Sequence, residues 1–181
     1  MKDTRSEIIS LANDLIRTVG YNAFSYADIS KQLNIKNAAI HYYFPSKGDL
    51  GVEVIKRNLV AFNERIDSWK ELTAREQLVN YITMHDGFIN KNWTCIVGAL
   101  SPSFNTLPEN MQEELQRLVE TIIDWLSDLL AKGKGSGEFK FDETFRAKAY
   151  MIHAALLSAL LMNKVLKKEV YTSIQNSLLN I

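Results

Sequence analysis

The residues best suited to chemistry lie in one short stretch near the N-terminus. Lys36, Asn37, Ala38, His41 and Tyr42 fall on the outward side when this stretch is wound as a helix. An amide and an imidazole can hydrogen-bond the edges of bases, and an aromatic hydroxyl can lie against sugar and phosphate. The pattern predicts a surface that reads double-stranded DNA, whereas on an isolated helix His41 would be an ordinary surface histidine.

The other side of the same helix is apolar. Ile35, Ile40 and Phe44 can point inward together, because positions 35 and 40 bridge a turn and positions 40 and 44 are one helical turn apart. Tyr42 and Tyr43 could instead both be ordinary core or surface aromatics, and for Tyr43 this reading fits as well as a contact with DNA. This apolar side predicts that the helix is anchored on a small core while its polar side faces solvent.

A third feature of this region is a lysine at the start of the next helix. Pro45 ends the preceding helix, and Ser46-x-x-Asp49 is a capping box. Lys47 therefore lies in a first turn, where free N–H groups and the helix dipole already attract an anion. A cation there opposes helix stability, so Lys47 is expected to contact phosphate, with a solvated surface charge as the alternative.

The first helix is predicted from the capping pair Thr4 and Glu7, and it is expected to end at Gly20 in a left-handed conformation. Between these positions one apolar stripe recurs at helical spacing: Ile8, Leu11, Ala12, Leu15, Ile16 and Val19.

The second helix is predicted to begin with the capping pair Ser25 and Asp28, with Phe24 packed on Ile29, and to stop at Asn34. Three helices of about 16, 8 and 7 residues joined by short turns match a helix-turn-helix.

Residues 20–51 resemble the signature of the TetR family of transcriptional regulators. The strongest matches are Asp28, Ile29, Ile40, Tyr43, Phe44, Lys47 and Leu50. The resemblance implies that Ser25 and Tyr26 touch phosphate and that Lys47 holds the DNA backbone. It also implies that a set of third-helix residues faces the major groove: Asn37, Ala38, Ala39, His41 and Tyr42.

Two positions depart from the family pattern. Asn34 stands where the family often has Gly, and Lys36 stands where it often has Ser or Thr. The turn and the cap of the third helix are therefore atypical, which leaves Asn37 as an alternative cap.

Beyond the third helix the periodicity continues to predict helices, with a short helix and loop at 93–104 and a flexible linker at 132–138. The predicted helices span 49–70, 74–91, 109–132, 142–166 and 168–180. The chain is thus expected to be all-α, with a helix-turn-helix DNA-binding domain over 1–48 and a helical effector-binding and dimerisation domain over 49–181. Residues 93–100, 107–108 and 125–126 are similar to the body domain of one TetR subgroup.

The helix predicted over 142–166 is apolar on nearly every side between positions 147 and 161. Such a helix must be buried on more than one side. In so small a chain, one side can meet the core and the other a second copy, which predicts a two-fold four-helix interface. Its expected residues are Ile152, Ala155, Leu156, Ala159, Leu160, Val170, Ile174 and Leu178.

A small apolar effector is expected in the helical body, among methionine and aromatic side chains with scattered polar groups. The expected lining is Tyr81, Met84, His85, Phe88, Cys95, Met111, Trp125, Met151 and His153. Ordinary core packing is the alternative for all of them. His85 and His153 are read as interior or surface histidines before metal ligands, and Cys95 as a small hydrophobe before a redox switch.

Composition limits the classes of protein that fit. Lys and Arg balance Asp and Glu at 21 each, so any affinity for DNA must come from a local patch. The single cysteine excludes an internal disulfide. The start, MKDTRSEII, lacks the apolar region of a signal peptide, and the apolar stretch 154–162 is too short for a bilayer. These features predict a cytoplasmic protein without membrane, metal or cofactor.

The function that fits best is a ligand-released repressor that binds a palindromic operator as a homodimer. An enzyme acting on a small apolar substrate is the second reading, but no paired carboxylates, metal-ligand spacing, phosphate-binding loop or nucleophile elbow supports it. A helical adaptor that has lost DNA binding is the third, and it would show no salt-dependent binding to promoter fragments.

Overall fold

The computed structural model describes residues 3–166 and 170–181, and all regular secondary structure in those residues is helical. The all-α prediction is confirmed. The first two residues of the helix predicted over 168–180 lie outside the described residues. The α-helices are α1 Thr4–Thr18, α2 Tyr26–Leu33, α3 Asn37–Tyr43, α4 Lys47–Trp69, α5 Ala74–Thr83, α6 Asp86–Asn90, α7 Ile96–Leu100, α8 Glu109–Gly135, α9 Phe145–Leu166 and α10 Val170–Leu178, with 3₁₀ turns at Tyr21–Ala23 and Ser101–Thr106.

Backbone contacts divide the chain into two compact units. The first combines the residues up to Ala61 with Ile96–Leu118, and the second combines Phe62–Cys95 with the residues from Val119 onward. The long helices α4 and α8 each contribute to both units. The predicted boundary after residue 48 divides the chain by function, and it stays a prediction.

The first unit is built around the contacts of α1, α2 and α3. Ile8, Ile29, Ile40 and Phe44 are at most 1% exposed, and each such side chain contributes about 1.5–3 kcal/mol of burial free energy. A buried polar link joins α1 to α4, because Arg17 donates to Asn58 Oδ1 at 2.5 Å. The core that anchors α3 is thus fixed to the long helix that follows it.

Capping side chains mark the starts of α1 and α2. Ser25 forms the predicted capping box with Asp28 at the start of α2. The N-terminal prediction is wrong by one residue, because the cap of α1 is Asp3, whose side chain accepts from Arg5 N at 3.1 Å. Val19 is also misplaced, since α1 ends before it and the side chain is 55% exposed.

The second unit has an aromatic core between α5, α8, α9 and α10. Tyr81 and Tyr171 are at most 1% exposed. The Tyr171 hydroxyl donates to the carbonyl of Ile82 at 2.6 Å, which ties α10 to α5. Arg75 donates to the carbonyls of Leu179 and Ile181 at 3.0 and 2.7 Å, so the last residues of the chain are also bound to the start of α5.

The single helix predicted over 74–91 is wrong, because the chain forms α5 and α6 with a break at Met84 and His85. In a continuous α-helix the backbone N–H of His85 would bond to the carbonyl of Tyr81. Instead the ring Nδ1 of His85 lies 3.1 Å from that carbonyl, and His85 N donates to Ile82 O. The side chain thus competes with the backbone for one acceptor and tightens the turn.

The flexible linker predicted over 132–138 is also wrong in its first half, because α8 continues to Gly135. The reason is a close approach at Gly133, where an added Cβ would lie 2.1 Å from the ring of Phe139. Phe139 is 2% exposed, so its ring fills the space that a side chain at position 133 would need. The chain then reverses at Gly137, whose φ is +79°.

α9 is apolar enough to need comment. Its 22 residues include a stretch with a mean hydropathy of 1.4. By length and composition it is the one helix of the described residues that could cross a membrane. It is longer than the apolar stretch 154–162, which is too short for a bilayer. One such helix is weak evidence of a membrane span, because the core helix of a soluble protein can be as long and as apolar. A third of the stretch with mean hydropathy 1.4 (33%) is already buried against the rest of the second unit.

The Gly133–Phe139 contact predicts opposite effects for two neighbouring glycines. Gly133→Ala should lower the free energy of unfolding by about 1–3 kcal/mol, because the methyl group must displace the Phe139 ring. Gly135→Ala is the matched control. It should raise the free energy of unfolding, because a helical glycine is replaced and nothing lies within 4 Å of the added Cβ. Urea denaturation of both variants measures the difference, and equal stability of the two would contradict the proposed contact.

Candidate nucleic-acid interface

The surface of α3 has the arrangement that its sequence predicts. Lys36, Asn37, Ala38, His41 and Tyr42 are all exposed, and Tyr42 is 82% exposed. The apolar side is opposite, where Ile40 and Phe44 are at most 1% exposed and Ile35 is half-buried. Ala39, which the resemblance implies to face the major groove, is half-buried as well. The exposure predicted for the first five residues is confirmed, and their contact with DNA stays a prediction.

The turn before α3 is formed by a left-handed residue. Asn34 has φ 53° and ψ 46°, which an asparagine adopts more readily than most residues. Lys36 is the cap of α3 but makes no side-chain capping bond, and Asn37 is the first helical residue. The alternative that Asn37 caps the helix is therefore wrong. In the described part of the chain the side-chain amide of Asn37 has no hydrogen-bond partner, so it is available to a ligand.

Tyr26 lies beneath this surface and not on it. It is 9% exposed, its ring packs against His41 with centroids 4.8 Å apart, and its hydroxyl donates to the carbonyls of Phe44 and Ser46 at 2.9 and 2.6 Å. Burial raises the pKa of Tyr26 to about 12, with Asp49 adding to the effect. Tyr26 thus joins the start of α2 to the end of α3 and supports the ring of His41.

Ser25, the other residue implied to touch phosphate, is exposed. Its backbone N–H and its hydroxyl both donate to Asp28 Oδ2 at 2.7 Å. These bonds hold the pKa of Asp28 below its usual range. The residue stands at the N-terminus of α2, where backbone N–H groups suit an anion.

Lys47 lies at the first position of α4, after a capping box in which Ser46 donates to Asp49 Oδ2. Its ammonium donates to the carbonyls of Tyr21 and Phe24 and lies 4.6 and 4.2 Å from the centres of their rings. Burial lowers the pKa of Lys47, and Asp28 offsets part of this. Lys47 therefore fixes the loop between α1 and α2, and its contact with phosphate stays a prediction.

Five of the predicted effector residues lie together in the second unit. Tyr81 stacks near Trp125 and His85 with centroid distances of 5.3 and 5.7 Å, and His85 lies 5.3 Å from Phe88. The Tyr81 hydroxyl is 2.7 Å from Nδ1 of His153. We call these five residues the aromatic cluster: Tyr81, His85, Phe88, Trp125 and His153. Their side chains contact one another directly, so they form a packed core in this conformation.

The remaining effector predictions have other places. Met111 belongs to the first unit, where it packs against Gly51, and Met151 is 53% exposed on α9, so neither lies in the aromatic cluster. Cys95 is buried. Met84 is half-buried, and its sulfur accepts a hydrogen bond from Arg65 at 3.8 Å. In the described ranges no group of three or more His, Cys, Asp and Glu side chains could hold a metal ion.

Half of the predicted dimer residues are also misplaced. Ile152, Leu156, Ala159 and Leu160 are at most 2% exposed inside the second unit, so they have no surface left for a partner. Ala155, Val170, Ile174 and Leu178 remain half-buried. The exposed apolar side of α9 is a different set, consisting of Tyr150, Met151, Leu161, Met162, Val165 and Leu166. An all-round apolar sequence could not show which side meets the protomer's own core.

Comparisons with known proteins agree with this geometry. Residues 8–54 match the family model described as bacterial regulatory proteins, tetR family. A TetR-family transcriptional regulator from Agrobacterium tumefaciens is 30% identical, with a TM-score of 0.91 over 97% of this chain and 95% of that one. The fatty acid metabolism regulator protein of Bacillus subtilis is 26% identical over 83% of this chain and 78% of its own. The transcriptional repressor NemR of Escherichia coli is 22% identical over 99% and 92%.

The helix-turn-helix and the helical second unit define a DNA-binding transcriptional regulator, and the named relatives are regulators as well. The chain belongs to the TetR family.

The buried His153 predicts a loss of stability in weak acid. Burial lowers the pKa of His153 from 6.5 to about 4, so the folded protein keeps the ring neutral while the unfolded chain takes up a proton below pH 6.5. The free energy of unfolding should therefore fall by about 2 kcal/mol between pH 7 and pH 5 through this residue. Urea denaturation at both pH values measures it.

His153→Gln removes the titrating ring while keeping an acceptor for the Tyr81 hydroxyl, so this part of the pH dependence should vanish. His41→Gln, at an exposed histidine, is the control and should keep the full dependence. The same pH dependence in His153→Gln as in the unmodified protein would show that His153 is not the group responsible.

Proposed function

We propose that the protein is a ligand-released repressor that binds a palindromic operator as a homodimer. The observation that carries the proposal is the outward face of α3. There the side-chain amide of Asn37, which has no partner among the described residues, and the exposed imidazole of His41 stand on a helix anchored by Ile40 and Phe44. A short helix with this division, preceded by α2 and a tight turn, has the form of a recognition helix.

In this proposal each residue of the interface has a distinct role. Asn37 and His41 hydrogen-bond base edges in the major groove, and Ala38 and Ala39 allow close approach. Tyr42, Lys36 and Ser25 lie against sugar and phosphate. Tyr26 acts from beneath, because its ring supports His41 and its hydroxyl holds the end of α3.

The dimer is proposed to form through the exposed apolar side of α9 together with α10. Met151, Leu161, Met162 and Val165 are 44–80% exposed, and they share α9 with the half-buried Ala155. Pairing these surfaces across a two-fold axis would give four packed helices. Two recognition helices about 34–36 Å apart would then read half-sites one helical turn apart.

Release by a ligand is proposed to act through the second unit. A ligand that binds one arrangement of the dimer better than another shifts the population between them, by an amount set by the difference in its two affinities. The protein is proposed to act in the cytoplasm, where its DNA would be.

Selection of bound sites from random duplex DNA tests the interface. The unmodified dimer should select a near-palindrome with half-sites one turn apart. Asn37→Ala and His41→Ala should each cost about 1–3 kcal/mol at one base pair and relax the sequence selected there. Lys47→Ala should weaken binding to all sequences about equally and reduce the slope of log affinity against log salt by about 1.

Sites that stay unchanged in Asn37→Ala and His41→Ala would remove these residues from base reading. A weaker affinity with an unchanged salt slope in Lys47→Ala would leave that residue only its bonds to the Tyr21 and Phe24 carbonyls. Failure of the unmodified protein to select any duplex would overturn the proposed function.

The dimer surface is tested by a matched pair of charge substitutions. Val165 is 80% exposed on α9, and Val60 is 55% exposed on α4. Val165→Glu should shift the protein to monomers in sedimentation equilibrium, because a charge would be buried without a partner in the interface. Val60→Glu makes the same chemical change outside the proposed interface and should stay dimeric. A dimer in both variants would place the interface elsewhere.

A further inference from the structure

A cavity of about 320 Å³ in the second unit lies apart from the aromatic cluster. It is formed by the end of α6, the turn after it and the C-terminal part of α9, and its lining is Ile89, Asn92, Trp93, Leu160, Asn163 and Lys164. Its volume is at the lower end of the range of small-molecule sites, which is about 300–1,000 Å³. None of the residues expected to hold an effector lines it.

Among the described residues of this lining, Lys164 is the only charged one. Its ammonium donates to Thr94 Oγ1 at 2.8 Å, and in the described residues no carboxylate is paired with it. The side chain is half-buried, and burial lowers the pKa of Lys164 from its usual value. A partly buried cation that lacks a counter-ion among the described residues is unfavourable, and an anion in the cavity would remove that cost.

Two side-chain amides, those of Asn92 and Asn163, line the same cavity as this ammonium. Asn163 Oδ1 accepts a hydrogen bond from the backbone N–H of Tyr171 at 3.4 Å. Its amide N–H groups have no acceptor among the described residues, so they can donate to a ligand. Asn92 has φ 53° in the turn after α6, and its side chain has no hydrogen-bond partner in the described ranges. The polar part of the lining can thus supply several donors around one anionic group.

The rest of the lining is apolar. Ile89 and Leu160 supply aliphatic side chains and Trp93 an indole. The Lys91 ammonium lies 4.3 Å from the centre of the Trp93 ring, which adds a second positive charge near the cavity. A ligand that fits this lining has an anionic end and an apolar body.

We infer that this cavity binds a small organic carboxylate, whose carboxylate group lies against Lys164, Asn163 and Asn92 and whose apolar body lies against Trp93, Ile89 and Leu160. This inference names the chemical class of the effector and, for its regulatory consequence, rests on the proposed function. The ring centres of Trp93 and Phe88 are 6.0 Å apart, and Phe88 is a member of the aromatic cluster. A ligand at Trp93 therefore adjoins the core of the second unit.

Calorimetric titration of the full-length protein tests the site with benzoate and hexanoate, and with benzamide and hexanamide as uncharged analogues. At least one carboxylate should bind with a Kd below about 1 mM, and its amide should bind at least tenfold more weakly. The inference would be overturned if neither benzoate nor hexanoate bound, or if an acid and its amide bound equally. This test needs no substitution in the protein.

Three variants then locate the site. Lys164→Met should weaken carboxylate binding at least tenfold, and Lys164→Arg should restore most of it by keeping the charge. Lys140→Met is the control, because Lys140 is exposed and precedes α9, whereas Lys164 lies near the end of that helix. Unchanged affinity in Lys164→Met would place the anion elsewhere and overturn the inference.

A final measurement separates this inference from the proposed function. Operator binding without ligand depends only on the proposed function. With the operator bound, addition of the carboxylate should lower the affinity for DNA at least threefold in the unmodified protein and leave it unchanged in Lys164→Met. Carboxylate binding without any change in DNA affinity would overturn the effector role of the cavity. Failure of the unmodified protein to bind an operator in the absence of ligand would overturn the proposed function.

Discussion

The presentation of α3 depends on the burial of two side chains beneath it. Ile40 and Phe44 are at most 1% exposed, and their positions one helical turn apart fix which side of the helix faces solvent. The hydroxyl of Tyr26 adds a hydrogen bond to the carbonyl of Phe44, the residue that caps the C-terminus of α3. Because the apolar side is held at both levels, side chain and backbone, Asn37 and His41 remain outward.

A second constraint governs the other unit, where α9 carries apolar residues on two sides. One side contributes Ile152 and Leu156 to the core, and the other leaves Val165 80% exposed. In this protomer only one of these two sides is buried. The exposed side therefore carries the proposal of a dimer, while the cavity at Lys164 lies where the same helix approaches its end.

Some local predictions failed for reasons that local sequence does not carry. The ring of His85 takes the position of a helical N–H at the Tyr81 carbonyl. One side chain therefore interrupts the helix, although the periodic apolar pattern continues through it. Gly133 sits inside α8 because Phe139 returns to cover it, although a run of glycines suggests a linker. In both places a tertiary or side-chain contact overrides the intrinsic preference of the residue.

The sequence alone determined the all-α class, the resemblance of residues 20–51 to the TetR signature, and the outward set on α3. These depend on capping pairs and on spacings of three to five residues, which act within one or two helical turns. Only the tertiary structure decided which side of α9 is core and that Tyr81 meets His153, 72 residues away, since such contacts are set by the packing of whole helices. The cavity at Lys164 arises in the same way, from segments about 70 residues apart that no local spacing connects.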